Sequence, residues 1–287
     1  MIVTEFYNGS GLGNQLFNYV MTRVLALDKG FAFGVMHPEK FKGGNLMKLD
    51  FGLPVVGGSS PHEGAPPTIL PNGIEHYYCE KRVNRPDGTD IRSYDNELTN
   101  ILDNTKIDGL FQGEKYFEHH KEKIREWLKV ETVIPTWHTC IINFRGGEYV
   151  GVRELFLTKN YWDNAVAHML HIHSDMRFQV VTDDIKTAKK FFPNFDISHN
   201  LKSDYSTIQS AEFLIVSNSS FAFFPAWLNI NVKCIIAPKY WARHNVSDGY
   251  WACGYNIVKG WLYQNRYGVL QSYEQCVGEL QQYENKK

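Results

Sequence analysis

Three apolar runs in the second half of the chain each end on a cluster of polar residues and lead directly into a helical pattern. Thr139–Phe144 runs into Arg145, Gly146, Gly147 and Glu148. Arg177–Thr182 runs into Asp183 and Asp184, and residues 212–216 run into Ser217, Asn218, Ser219 and Ser220. Apolar residues recur at helical spacing over 160–170, 185–192 and 205–211, and again through Phe221, Phe224, Ala226 and Trp227; a further strand, 232–237, ends at Pro238. Strands that alternate with helices predict a parallel sheet covered by those helices. In such sheets ligands bind beyond the carboxyl ends of the strands, where these polar residues fall.

The chain also opens as strand, glycine loop, helix. Residues 2–7 read as a strand, and Leu16, Phe17, Tyr19, Val20, Val24, Leu25 and Leu27 recur at helical spacing before Gly30. Between them lies Gly9-Ser10-Gly11-Leu12-Gly13-Asn14-Gln15. Glycines there let the backbone turn sharply and approach a ligand at a helix start. The spacing is not the dinucleotide fingerprint, which needs Gly where Asn14 stands, nor a P-loop, since no Gly-Lys-Ser/Thr follows. A tight turn with a helix cap explains the glycines equally well. Residues 38–95 are rich in Pro, Gly, Ser and Asn and predict short strands and long loops, residues 115–129 predict a charged amphipathic helix, and 272–283 a final helix.

Composition narrows the functional classes. A hydrophobic content of 43% is that of a globular chain. Thirty Lys and Arg against 31 Asp and Glu lack the bulk basic charge of a protein that grips nucleic acid, so no nucleic-acid partner is expected. No apolar run approaches the roughly 20 residues of a transmembrane helix. Five cysteines, Cys79, Cys140, Cys234, Cys253 and Cys276, form no CxxC pair and read as reduced thiols, which fits a cytoplasmic location.

Each polar strand end has a chemical and a structural reading. Arg145 beside two glycines can offer a guanidinium fork and free backbone N–H groups to a phosphate, or can be a surface turn. Asp183 and Asp184 can accept from ribose hydroxyls or a guanine edge, can hold Mg²⁺ or Mn²⁺, or can simply cap the next helix. Ser217–Ser220 offer hydroxyls and helix-start amides, the chemistry of a phosphate cradle; a plain helix cap needs only one of them. His168, His171 and His173 do not share one helical face and read as a solvated helix end; His119 and His120 are read the same way, so no metal site is expected. The Trp and Tyr residues between 240 and 263 suit either core packing or a carbohydrate platform.

Taken in order, these pieces resemble the family 11 glycosyltransferases, the α-1,2-fucosyltransferases. Gly11-Leu12-Gly13-Asn14-Gln15-Leu16-Phe17 resembles that family's GLGNQ-[ML]-F opening, and Arg145-Gly146-Gly147-Glu148-Tyr149 its His-x-Arg-Arg-Gly-Asp-Tyr motif. Thr182-Asp183-Asp184 resembles a Ser-Asp-Asp strand end. Ser217-Asn218-Ser219-Ser220-Phe221 followed by Ala226-Trp227-Leu228 resembles Ser-Asn-Ser-Thr-Phe-Ser-Trp-Trp, and 236–241 resembles Ala-Pro-Lys-x-Trp. The five matches are collinear over about residues 9 to 241.

The resemblance implies an α/β chain of GT-B type, with two Rossmann-like domains facing a cleft. These would be an acceptor-side domain over 1–135 and a nucleotide-sugar domain over 136–287, whose last helix can return to the first. It implies an inverting, metal-independent transfer of L-fucose from GDP-fucose to a hydroxyl of an oligosaccharide or glycan acceptor, with no cofactor, at the inner face of a membrane or free of it. Arg145 would neutralise the departing diphosphate, with Asn14 and Glu148 at the reacting centre. Asn143, Gly146, Gly147, Asp183, Asp184, Ser217, Asn218, Ser219, Ser220 and Phe221 would line the donor, and Gly11, Gly13, Asn14 and Gln15 the opposing loop. Glu148 and His37 are candidates for the base. Asn143, Gly146 and Glu148 stand where the family has His, Arg and Asp. A different nucleotide sugar, such as a metal-dependent UDP-sugar, or a non-catalytic binding relative therefore stays open.

Overall fold

The computed structural model describes residues 1–84, 90–91, 94–134, 136–247 and 256–285. Cys253 and the aromatic residues Tyr250, Trp251 and Tyr255 lie outside the described residues. The chain separates into two compact units, one holding 1–84 and 92–130, the other 85–91 and 131–287.

The first unit is built on β1 (Ile2–Glu5), α1 (Leu12–Lys29), β2 (Phe33–Met36), β3 (His76–Cys79), β4 (Thr105–Asp108) and α2 (Lys121–Trp127). Its main sheet has four strands in the order β2-β1-β4-β3, all parallel. Leu16, Phe17, Val20 and Val24 of α1 are buried, and Gly30 ends the helix in the left-handed conformation (φ 67°) that glycine adopts without strain. The helix expected over 115–129 is shorter. Phe117, at φ −144° and ψ 2°, interrupts it, and 3₁₀ turns at Glu114–Tyr116 and Glu118–His120 precede α2.

The second unit contains β5 (Thr139–Phe144), α3 (Lys159–Ile172), β6 (Arg177–Thr182), α4 (Ile185–Phe191) and β7 (Asp196–Ser198). These are followed by α5 (Leu201–Ser210), β8 (Phe213–Val216), α6 (Ser220–Trp227), β9 (Cys234–Pro238), β10 (Leu262–Gln264), β11 (Leu270–Gln271) and α7 (Tyr273–Glu284). The sheet order is β11-β10-β9-β8-β5-β6-β7, parallel except for the β10–β11 pair. All six residues of β5 are buried, as expected for a strand covered on both faces. Cys140, Ile142 and Phe144 pack with Tyr161, Trp162 and Phe192 in an apolar cluster. Helix α7 begins with a capping box between Ser272 and Gln275 and belongs to this unit, held through Glu279 to the buried Lys239.

The α/β class expected from the sequence holds, with a parallel Rossmann-like sheet in each unit. Among the described residues no helix is long and apolar enough to cross a membrane. Cys79, Cys140, Cys234 and Cys276 are free.

Candidate active site

Chain order fixes where a ligand is expected in the second sheet. From β5 the chain steps outward through β6 and β7, then returns to the other side of β5 with β8, β9 and β10. The order reverses between β5 and β8, and the carboxyl ends of strands flanking such a reversal form an open crevice. The β5 end carries Arg145, the β6 end Asp183 and Asp184, and the β8 end Ser217–Ser219.

Arg145 forks between two carboxylates. One guanidinium nitrogen lies 2.6 Å from Asp183 and the other 2.7 Å from Glu148, while the Tyr149 ring lies 5.2 Å beneath it. Arg145 is 28% exposed and Glu148 75%, so the pair faces solvent. Burial raises the Tyr149 phenol's pKa, keeping the ring neutral beneath the cation.

The glycines after Arg145 are required by their neighbours. A Cβ on Gly146 would stand 2.7 Å from Asp184 Cβ, and one on Gly147, at φ 44°, would stand 2.5 Å from Asp183 Oδ2. The Gly146 N–H donates to Asp183 at 2.8 Å. The Gly146 amide, expected to be free for phosphate, is therefore taken by a carboxylate. A side chain at Gly146 would require Asp184 to shift.

Asp184 is a helix cap. Its oxygens accept from Thr187 N at 3.0 Å and Thr187 Oγ1 at 2.5 Å, and these bonds, the side-chain one first, hold its pKa below the ordinary value. Asp183 is committed to Arg145 and Gly146. Both carboxylates are thus engaged within the chain, which does not suit the metal-bridging alternative.

At β8, Ser217 and Asn218 turn inward. Ser217 Oγ donates to Asn143 Oδ1 at 2.8 Å and Asn218 Nδ2 to Leu155 O at 3.0 Å, all three polar side chains being buried. Asn143 and Ser217 stitch β5 to β8. Ser219 is the buried N-cap of α6, with no side-chain cap bond among the described residues, and Ser220 is the first helical residue, which places both beside the first-turn amides. Phe221 is half-buried, edge-on to Tyr205.

The glycine loop belongs to the first unit. Gly11 is the N-cap of α1, and nothing lies within 4 Å of where its Cβ would be. Gly13 and Gln15 are buried. Gln15 brackets a neighbouring loop, donating to Lys40 O at 2.9 Å and accepting from Lys42 N at 3.0 Å; it is a clamp. Asn14 Oδ1 accepts from Gln112 Nε2 at 3.0 Å, which fixes its carboxamide. Gln112 escaped the sequence reading because β4 did. His37 sits at φ 56° after β2, between Glu5 at 3.7 Å and Glu39 at 3.2 Å.

Tyr149 and Thr187 also escaped as contributors; Thr187 was legible as the N3 partner of an Asp N-cap. Of the described aromatics near 240–263, Tyr240, Trp241, Trp261 and Tyr263 are buried packing rather than an exposed platform. His168 Nε2–H donates to Gly268 O at 2.8 Å and His173 stacks on His138, so the three histidines of 168–173 do not converge.

No family model matches the chain. It is 25% identical over 286 residues to an α-1,2-colitosyltransferase of Escherichia coli, an alignment covering 85% of this chain and 93% of that one. It is 25% identical over 126 residues to the O-antigen biosynthesis glycosyltransferase WbnK of the same species, covering 38% and 40%. Among solved structures, a family 9 glycosyltransferase from Veillonella parvula aligns over 100% of this chain and 97% of that one, with TM-score 0.46 and 10% identity. The chain is therefore similar in sequence to glycosyltransferases over most of its length.

Proposed function

We propose that this chain is an inverting glycosyltransferase that moves a sugar from a nucleoside diphosphate, L-fucose from GDP-fucose in the first instance, to a hydroxyl of a glycan acceptor without a metal. In this reading the second unit takes the donor and the first receives the acceptor. The observation that carries it is Arg145, a solvent-facing cation at the reversal point of a parallel sheet, next to the Ser219–Ser220 helix start.

In the reaction the sugar C1–O bond breaks and the departing diphosphate gains a negative charge. The Arg145 guanidinium stabilises that charge in place of a metal ion, and the first-turn amides and hydroxyls at Ser219 and Ser220 share it. The diphosphate enters by displacing Glu148, the more exposed of the two carboxylates on Arg145. Asp183 stays, held by the Gly146 amide, and keeps the guanidinium oriented. The acceptor hydroxyl gives up its proton as its oxygen attacks C1 from the opposite face. A cytoplasmic location belongs to this reading, supported by the four free cysteines.

A second donor, a nucleotide-activated colitose, is favoured by the α-1,2-colitosyltransferase among the relatives. Incubating the chain with GDP-fucose, GDP-colitose or UDP-sugars and an oligosaccharide acceptor panel, each with and without EDTA, tests the reading. Transfer from a GDP-sugar that survives EDTA supports it and selects the sugar. Transfer only from UDP-sugars, or only with free divalent metal, overturns it.

A further inference from the structure

The first unit places two imidazoles on one carboxylate. Asp28, in the last turn of α1, accepts at its two oxygens from different rings: His119 Nε2 lies 2.9 Å from Oδ2 and His120 Nε2 lies 2.6 Å from Oδ1. Consecutive residues reach one group because they sit in the tight 3₁₀ turn Glu118–His120, which the buried Phe117 anchors on one side and the buried Ile124 of α2 on the other. The rings are 4.5 Å apart and inclined by 46°, so both Nε2 atoms converge. Burial acts to raise the Asp28 pKa, but the two imidazole hydrogen bonds outweigh it and leave it lowered.

From this geometry we infer that Asp28, His119 and His120 form a divalent-metal site of Zn²⁺ type that staples the end of α1 to the start of α2. Two neutral imidazoles and one carboxylate are a donor set that Zn²⁺ takes readily, leaving a fourth position for water. The three ligand atoms lie within 4.8 Å of one another. Tetrahedral Zn–N and Zn–O bonds of about 2.0–2.1 Å put neighbouring ligand atoms about 3.3 Å apart. The carboxylate and rings need to open by only about half an ångström from their hydrogen-bonded spacing, and His119 and Asp28 are exposed enough to do so (48% and 35%). Each Nε2 must be free of its proton to take the metal, so binding shifts that proton to Nδ1 or to solvent.

The molecule holds a second His-His-Asp group, which serves as the control. His138, His173 and Asp175 also gather, but the two rings stack face to face, 4.5 Å apart and inclined by only 20°, with His138 Nδ1 on Asp175 at 2.9 Å. Stacked rings direct their nitrogen lone pairs along parallel planes rather than toward one point. This group reads as a stacked pair of rings hydrogen-bonded to Asp175.

Titrating Zn²⁺ into the untagged, EDTA-stripped full chain by calorimetry tests the assignment, with Co²⁺ absorption reporting coordination geometry. One Zn²⁺ per chain is expected, with tetrahedral Co²⁺ bands. Affinity falls at least tenfold in His119→Gln and in His120→Gln and is unchanged in His173→Gln; circular dichroism confirms that each variant folds. No binding to the intact chain, or binding that survives both His119→Gln and His120→Gln, overturns it, as does binding lost only in His173→Gln.

Discussion

Both sheets gather charge toward the carboxyl ends of their strands, but they solvate it in opposite ways. In the first unit Lys106 is fully buried between Glu5 at 3.0 Å and Asp108 at 3.2 Å, and it also donates to Tyr7 and Ser60 at 2.8 Å. Tyr7 donates to Asp108 at 2.5 Å, and burial raises the Asp108 pKa. In the second unit Arg145 holds two carboxylates of similar geometry but faces solvent. Buried ions are locked to one another, because separating them leaves an uncompensated charge in a low-dielectric interior. Solvated ions exchange partners at little cost. The first network therefore holds the fold, and the second is available to a ligand.

The largest expected effect breaks that contrast directly. Lys106→Met strands two buried carboxylates and should cost about 3–5 kcal/mol in urea unfolding. Arg145→Met removes a solvent-facing pair and should cost at most about 1 kcal/mol in the same experiment. Equal losses would mean that burial does not separate the two networks.

A buried group inside the second unit should behave like those of the first. His244 is buried, donates Nδ1–H to Lys239 O at 3.1 Å, and has its pKa lowered to about 4 by burial. Its folded pKa lies below its unfolded value near 6.5, so the unfolded chain binds the extra proton first. Stability is then lost as pH falls through the window from about 6.5 to about 4, by an amount on the order of 3 kcal/mol. Urea unfolding at stepped pH should show this fall, and His244→Asn should flatten it.

Smaller effects sharpen the comparison at the site itself. Gly146→Ala forces a methyl against Asp184 and should destabilise by about 1–3 kcal/mol, read as a lowered unfolding midpoint. Glu148→Gln should leave stability within about 0.5 kcal/mol and tighten nucleoside-diphosphate binding by about two- to fivefold, because it removes a competitor for Arg145. Calorimetric titration with GDP reads the second effect, and weaker binding would contradict displacement of Glu148.

The same contrast explains what the sequence disclosed. Strands β5 and β8 are mostly apolar runs, and β6 carries Phe178, Val180 and Val181 before its polar end, so they and their loops were legible. Strand β4 was not: Thr105, Lys106, Ile107 and Asp108 read as a polar alternation, yet all four are buried because the charges satisfy one another. Missing β4 hid Gln112, and with it the bond that fixes Asn14. Gln15 was legible as part of a loop but not as a clamp, since its partners are main-chain atoms of 40–42. At Gly146 and Gly147 the glycine signal was real, but its cause was the approach of Asp183 and Asp184 rather than a phosphate.

In the proposed reaction the solvated guanidinium at the second sheet's reversal point receives a nucleoside diphosphate. Calorimetric titration of GDP into the intact chain and into Arg145→Ala, in EDTA, tests it most directly. The account predicts saturable one-to-one binding to the intact chain, at least tenfold weaker in the variant, with the variant's unfolding midpoint nearly unchanged. Equal GDP affinity in both proteins, or no GDP binding to the intact chain, would contradict it.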